Sequence, residues 1–136
     1  MTCSYDWTVR IWDQLQTKKE KLICHDISTN GLKNQVNDVE WSPNTSSIFA
    51  SVASDGRIEV WDLKRNNLSP ILSHFDMEKD KVTKIEIPKT VVRWSKTSPV
   101  IMTGDAMGRV NVYRVNGIAH VQVSEKDQIS RLLTSI

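Results

Sequence analysis

The side chains able to do covalent or metal chemistry are few and poorly placed for it. Serine, histidine and aspartate are all present, but no Gly-x-Ser-x-Gly turn that would present a nucleophile occurs. The three histidines, His25, His74 and His120, fall in separate segments and suggest no shared site. Cys24-His25-Asp26 puts three ligand types in a row, yet neighbouring residues on a strand point to opposite faces and cannot easily chelate one ion. Gly31, Gly56, Gly104, Gly108 and Gly117 are scattered rather than gathered into a phosphate-binding loop. Cys3 and Cys24 are too few for a disulfide framework and read as small thiols. The expectation is a non-enzymatic chain with no catalytic residue, cofactor or metal.

Charge narrows the partners. Lys and Arg number 18 against 16 for Asp and Glu, a net charge of +2, so neither nucleic acid nor an anionic membrane has a strong electrostatic claim. No stretch approaches the roughly 20 apolar residues that span a bilayer. The first twenty residues carry Asp6, Arg10 and Asp13 and no apolar block, so no signal peptide is expected and the predicted location is intracellular. A length of 136 residues allows one core. The abnormal count is five Trp beside two Phe and two Tyr, an excess that calls for a structural cause.

That cause is a repeat. Tyr5-Asp6-Trp7-Thr8-Val9-Arg10-Ile11-Trp12-Asp13 is echoed 49 positions later by Ser54-Asp55-Gly56-Arg57-Ile58-Glu59-Val60-Trp61-Asp62. A weaker third copy, Met107-Gly108-Arg109-Val110-Asn111-Val112-Tyr113-Arg114, follows a further 52 positions on. Each alternates apolar and polar residues as a strand does. Val36 to Pro43 and Val91 to Ser95 form a second echo, and Ile48 to Ala53 and Val100 to Thr103 a third. Less regular segments at Lys21–Cys24, Pro70–His74 and Ile118–Val123 would end each unit. Four short strands per unit with a Trp-Asp ending are the signature of a WD40 β-propeller blade. The predicted fold is therefore all-β: about two and a half four-stranded blades of a larger ring over residues 1–123, the first partial, and a tail over 124–136. Polar insertions are expected around 16–20 and 76–84, where loop length is cheap.

Trp12, Trp41, Trp61 and Trp94 are assigned equivalent strand positions and a core role. WD40 blades, which these repeats resemble, carry a buried chain of turn Asp, strand hydroxyl, His and Trp. Its counterparts here are Asp6 and Asp55, Thr2, Ser51 and Thr103, and Trp12 and Trp61. The histidine is missing: Leu32 stands at its place in one unit and Lys84-Ile85 in another. Asp55 is accordingly expected to find solvent or backbone donors instead.

The strings Thr2 to Asp13, Trp41-Ser42-Pro43 with Ser47 to Ala50, Ser54 to Arg57, and Gly104-Asp105 with Gly108-Arg109-Val110 resemble the C-terminal blades of axonemal dynein intermediate chains. That resemblance implies a non-catalytic scaffold subunit of a dynein arm. Its propeller would bind the dynein heavy chain, pair with a second dynein intermediate chain, associate with dynein light chains and help anchor the complex to a doublet microtubule. The implied location is cytoplasm and cytoskeleton, in the axoneme of a cilium or flagellum. The alternative is a generic WD40 adaptor such as a ubiquitin-ligase substrate receptor. Trp12-Asp13-Gln14-Leu15 and Trp61-Asp62-Leu63-Lys64 both lack the Arg of the Trp-Asp-x-Arg box that such receptors often carry.

A scaffold recognises partners through exposed side chains, and Trp and Arg are common interface anchors. Trp7, Arg10, Arg57, Lys64, Arg65 and Arg109, all near blade turns, are the predicted contacts, with Trp7 foremost. In the tail, Ser124-Glu125-Lys126-Asp127 resembles a capping box. Ile129, Leu132, Leu133 and Ile136 then follow at i, i+3, i+4 and i+7, the stripe of a short amphipathic helix that would pack on the propeller or on a partner helix.

Overall fold

The computed structural model describes residues 1–12, 20–24, 34–65, 68–76 and 86–118, with 20–24 as backbone only. Every regular element among them is a strand. Strands β1 (Thr2–Cys3), β2 (Val9–Trp12) and β3 (Glu20–Cys24) form one antiparallel sheet in that order. A second runs β4 (Val36–Trp41), β5 (Ile48–Ala53), β6 (Arg57–Asp62), β7 (Leu72–Phe75). The third contains β8 (Lys89–Trp94), β9 (Val100–Asp105) and β10 (Val110–Arg114), with β9 in the middle. The tail-helix stripe Ile129, Leu132, Leu133 and Ile136, the Cys24-His25-Asp26 side chains, Leu32 and His120 lie outside the described residues.

The pairing registers prove the repeat. Thr2 faces Arg10, Ser51 faces Glu59 and Thr103 faces Asn111. Both β4 and β8 carry a register irregularity at the same place, against Ala53 and Asp105. One strand of each pair there holds an extra residue, Asn37 or Thr90.

Period-2 alternation then decides which side chain meets which sheet. The second sheet is covered on both faces, so all six residues of β5 are buried. Its Phe49, Trp61 and Leu63 pack against Val9 and Ile11 of the first sheet. Its Ile48, Ala50, Val52, Ile58 and Val60 pack against Val92, Trp94 and Ile101 of the third. Each buried Val, Ile or Phe contributes on the order of 1.5 to 3 kcal/mol. The tryptophans fall into two registers rather than one. Trp12 ends β2 and Trp61 is the last residue but one of β6, whereas Trp41 and Trp94 end the first strands β4 and β8. The residue after each indole marks the same division, Asp62 after Trp61 and Asp13 after Trp12 against Ser42 after Trp41 and Ser95 after Trp94.

Polar side chains of β4 lock the second sheet to the third. Asn37 Nδ2 donates to the Lys89 carbonyl at 2.6 Å, and the Asp38 carboxylate accepts the Val92 N–H at 3.0 Å. The Glu40 carboxylate accepts the Trp94 N–H, and the Trp94 indole donates to the Glu40 carbonyl at 3.2 Å. The outward amides of Val92 and Trp94 in β8 are thereby satisfied without a partner strand.

Candidate interaction surface

Three homologous turns join the strand pairs β1–β2, β5–β6 and β9–β10: residues 4–8, 53–57 and 105–109. The fourth residue of each has a left-handed backbone, at φ 69° for Trp7, 84° for Gly56 and 78° for Gly108. Two copies place glycine there, which adopts this conformation without steric cost. Adding a Cβ costs roughly 1 to 2 kcal/mol. Trp7 carries that cost and still leaves its indole 38% exposed, beside an exposed Tyr5. The turn is closed by hydrogen bonds from Trp7 N–H to the Ser4 carbonyl and from Ser4 N–H to the Thr8 carbonyl. The strained backbone carries a large, partly exposed aromatic where the sister turns carry glycine. Trp7 thus lies where the sequence places it, on an exposed turn.

Each turn also carries an Asp–Arg clasp, and the clasps redefine most of the other predicted contacts. Asp6 accepts the Thr8 hydroxyl at 2.6 Å, the Thr8 N–H at 3.2 Å and Arg10 at 3.0 Å. The Thr8 hydroxyl above all, with Arg10 adding its charge, holds the Asp6 carboxyl below the usual range. Asp105 accepts the N–H groups of Met107 and Arg109 and the Arg109 Nε at 2.9 Å. Arg57 corrects two expectations. It is buried rather than exposed, because its guanidinium lies 2.9 Å from the Asp55 carboxylate, reaches Glu59 and sits over the Phe75 ring. Asp55 therefore takes its partner from Arg57 itself, besides the Arg57 backbone N–H. Lys64 and Arg65 are exposed in the turn after β6, with Arg65 3.9 Å from Asp62. Arg10 and Arg109 are part-exposed and engaged with their own turns.

The predicted hydroxyl–indole pair forms twice. Trp61 Nε1 donates to Ser51 Oγ at 3.1 Å, and Trp12 Nε1 to Thr2 Oγ1 at 2.9 Å. Burial separates them: Trp61 is 2% exposed and Trp12 47%. Trp12 is thus half in solvent, contrary to its assignment to the core, since no described sheet covers that face. Asp6 and Asp55 do not join these pairs. In the third copy Tyr113 replaces the indole, and Thr103 Oγ1 is buried without a hydrogen-bond partner among the described residues.

Tyr113 belongs to a different network, which the sequence did not reveal. Lys89, 1% exposed, places its ammonium against the Asp76 carboxylate, with Asp105 Oδ2 at 3.7 Å. Asn111 Nδ2 donates to Asp76 at 2.9 Å and the Tyr113 hydroxyl to Asp76 at 3.5 Å. Burial by itself raises the Asp76 pKa, but the hydrogen bond and charge of Lys89, with Arg109 and Tyr113, hold it below the usual carboxylate range. Lys89 is the first residue of a strand and looks like an ordinary polar flank, so only pairing exposes its role. The one legible signal was Asp105-x-x-Gly108-Arg109, a carboxylate before a turn glycine. Cys3 has its thiol pKa pushed up, by burial and then by the Asp38 charge. Among the described residues no group of His, Cys, Asp and Glu could hold a metal ion, and no helix is long and apolar enough to cross a membrane.

Comparison with known proteins agrees with this geometry. Residues 20–62, from the last strand of the first sheet to the end of β6, match the family described as WD domain, G-beta repeat. A ciliary dynein intermediate chain 2 from Heliocidaris crassispina is 32% identical over 85% of the chain. Dynein axonemal intermediate chain 4 of Homo sapiens is 31% identical over 99%, and that of Mus musculus 30% identical over 98%. The chain spans only 14% to 15% of the length of these relatives. In fold it is similar to a chain in a crystal structure of the mitotic checkpoint complex, with TM-score 0.59 and 14% identity, covering 89% of this chain and 32% of that one. Its blade registers, Trp–hydroxyl pairs and turn glycines are those of WD40-repeat β-propeller blades, and over nearly its whole length the chain is similar to dynein intermediate chains.

Proposed function

We propose that the chain is part of a non-catalytic scaffold subunit of an axonemal dynein arm. Its propeller grips the heavy-chain tail, pairs with a second intermediate chain, associates with light chains and helps anchor the arm to the doublet microtubule of a cilium or flagellum. The observation that carries this reading is the similarity to axonemal and ciliary dynein intermediate chains over nearly the whole chain. Sequence similarity alone leaves the contact surface open, and the turn of residues 4–8 supports a specific one. Trp7 occupies the left-handed slot that Gly56 and Gly108 fill in the sister turns, so its side chain is retained against backbone preference. Exposed Trp beside exposed Tyr supplies large, stiff contact area of the kind that dominates protein interfaces.

The test is affinity purification of the tagged full-length protein from axoneme extract, with stoichiometric partners identified by mass spectrometry. Heavy chains, a second intermediate chain and light chains are expected. Recovery of a ubiquitin-ligase core, or of no dynein subunit, would refute the reading. Trp7→Gly in the same experiment is expected to lose a partner while the melting temperature stays level or rises. Unchanged recovery would remove Trp7 from the interface.

A further inference from the structure

The two ends of the stacked sheets handle charge differently. At the end that carries the turns 4–8, 53–57 and 105–109, each cation with a described side chain is held by a carboxylate: Arg10 by Asp6, Arg57 by Asp55, Arg109 by Asp105, and Lys89 by Asp76 and Asp105. Arg93, on β8, is held by Asp38. The remaining described cations, Lys64, Arg65, Lys96 and Arg114, are all exposed, and all lie at the opposite end. Among the described residues only Arg65 of these approaches a carboxylate, 3.9 Å from Asp62, and its side chain is 71% exposed.

Strand pairing gathers these four at one end. Lys64 and Arg65 follow β6, where the Leu63 N–H donates to the Ser47 carbonyl. Arg114 ends β10 opposite Val100, and Lys96 lies in the turn 95–99 that joins β8 to β9. Asn37 of β4 meets Lys89 and Glu40 meets Trp94, so β4 and β8 run side by side in one direction and the ends of the two sheets coincide. The carboxylates nearby are turned to other work. Asp62 accepts the Ser47 hydroxyl at 2.9 Å and the Lys64 N–H at 3.1 Å, and Glu40 accepts the Trp94 N–H. Arg114 holds in the third sheet the register position of Asp62 in the second, so a carboxylate gives way to a cation from one sheet to the next.

We propose that this end docks an acidic segment of a protein partner, a run of Asp and Glu whose carboxylates pair with Lys64, Arg65, Lys96 and Arg114. Cations that the fold leaves without carboxylates keep their charge for an incoming group of opposite sign. Packed sheets lie about 10 Å apart and an extended chain advances about 3.3 Å per residue, so roughly three residues carry such a segment from the second sheet to the third. The net charge of the chain is only +2, which gives a long polyanion such as nucleic acid little attraction beyond these side chains. A short acidic segment needs only the local cations. This surface lies at the opposite end from the Trp7 turn, and it does not depend on the dynein reading.

Purified full-length protein titrated with fluorescein-labelled decaglutamate, read by fluorescence anisotropy, tests it. Saturable binding that weakens as salt is added is expected, with none for decaglutamine. Lys64→Glu together with Lys96→Glu should weaken binding roughly fivefold or more, as expected for reversal of two exposed ion pairs, whereas Lys64→Arg with Lys96→Arg should keep it. Carbodiimide coupling of the bound peptide, mapped by mass spectrometry, should mark the Lys64 and Lys96 amines. Both lysines are exposed, so these changes leave the fold intact. No saturable binding, binding indifferent to the paired Glu substitution, or coupling only at other lysines would each overturn the inference. Tighter binding of an oligothymidylate of equal length, or of phosphatidylserine vesicles, would also overturn it and reassign this end to nucleic acid or to a membrane.

Discussion

The first and second sheets carry the same Trp–hydroxyl hydrogen bond over the same ten-residue spacing, 2.9 Å for Trp12 to Thr2 and 3.1 Å for Trp61 to Ser51. One indole is half in solvent and the other is sealed beneath the first sheet. The hydrogen bond is a property of the strand pair, fixed by register. Burial is a property of the stack, fixed by whichever sheet arrives on that face. Local motif and burial therefore come apart in this protein, and the same motif is expected to weigh more in the blade where it is covered.

The comparison breaks hardest at Trp61. In the full-length protein, Trp61→Ala is expected to cost about 3 to 5 kcal/mol, because it empties a site packed by Phe49, Val9 and Ile11. Denaturant unfolding reads it directly. Lys89→Met comes next, at about 3 kcal/mol, since it leaves the Asp76 and Asp105 carboxylates without their shared cation. A loss below about 1 kcal/mol would show that the aspartates relax to other donors.

Acid should report the same network. The folded-state pKa of Asp76 lies below its ordinary value of 3.8, so its contribution to stability is complete above that pH and is lost as pH falls through the lower, folded value. Asp76→Asn should flatten the stability profile below about pH 4, and an unchanged profile would assign the acid sensitivity to other carboxylates.

Trp12→Ala sharpens the contrast. With the indole exposed as described, a cost of about 1 to 2 kcal/mol is expected. A cost matching Trp61→Ala would show that another sheet covers this face in the full-length protein. The smallest effect has the opposite sign. Trp7→Gly should stabilise by less than about 1 kcal/mol, relief of the left-handed backbone being partly offset by the greater freedom of glycine when unfolded. A loss of more than that would mean the indole packs on its own blade.

Much of the fold was legible because its signals are local. Alternation of Val9 and Ile11, Ile58 and Val60, and Val110 and Val112 is a strand pattern at any scale, and the repeated spacing of Trp12, Trp61 and Tyr113 aligns three units. The candidate site was legible in part. Trp7 stood out by size and proved to be exposed. Arg57 looked like a rim residue, yet it turned inward onto Asp55, because a guanidinium two residues from a turn carboxylate can close a ring that no spacing rule announces. Arg10 and Arg109 make the same clasp at a spacing of four.

By itself the sequence determined the strands, their turns and the register of the indole–hydroxyl pairs, because those depend on residues within a few positions or across a single hairpin. The tertiary structure decided what those residues are worth. It placed Trp12 in solvent and Trp61 in a core, brought Lys89 between Asp76 and Asp105, and aimed Asp38 and Glu40 at the amides of β8. Each of those outcomes requires two sheets to meet, and the identity of the meeting partner is not written in the strand that meets it.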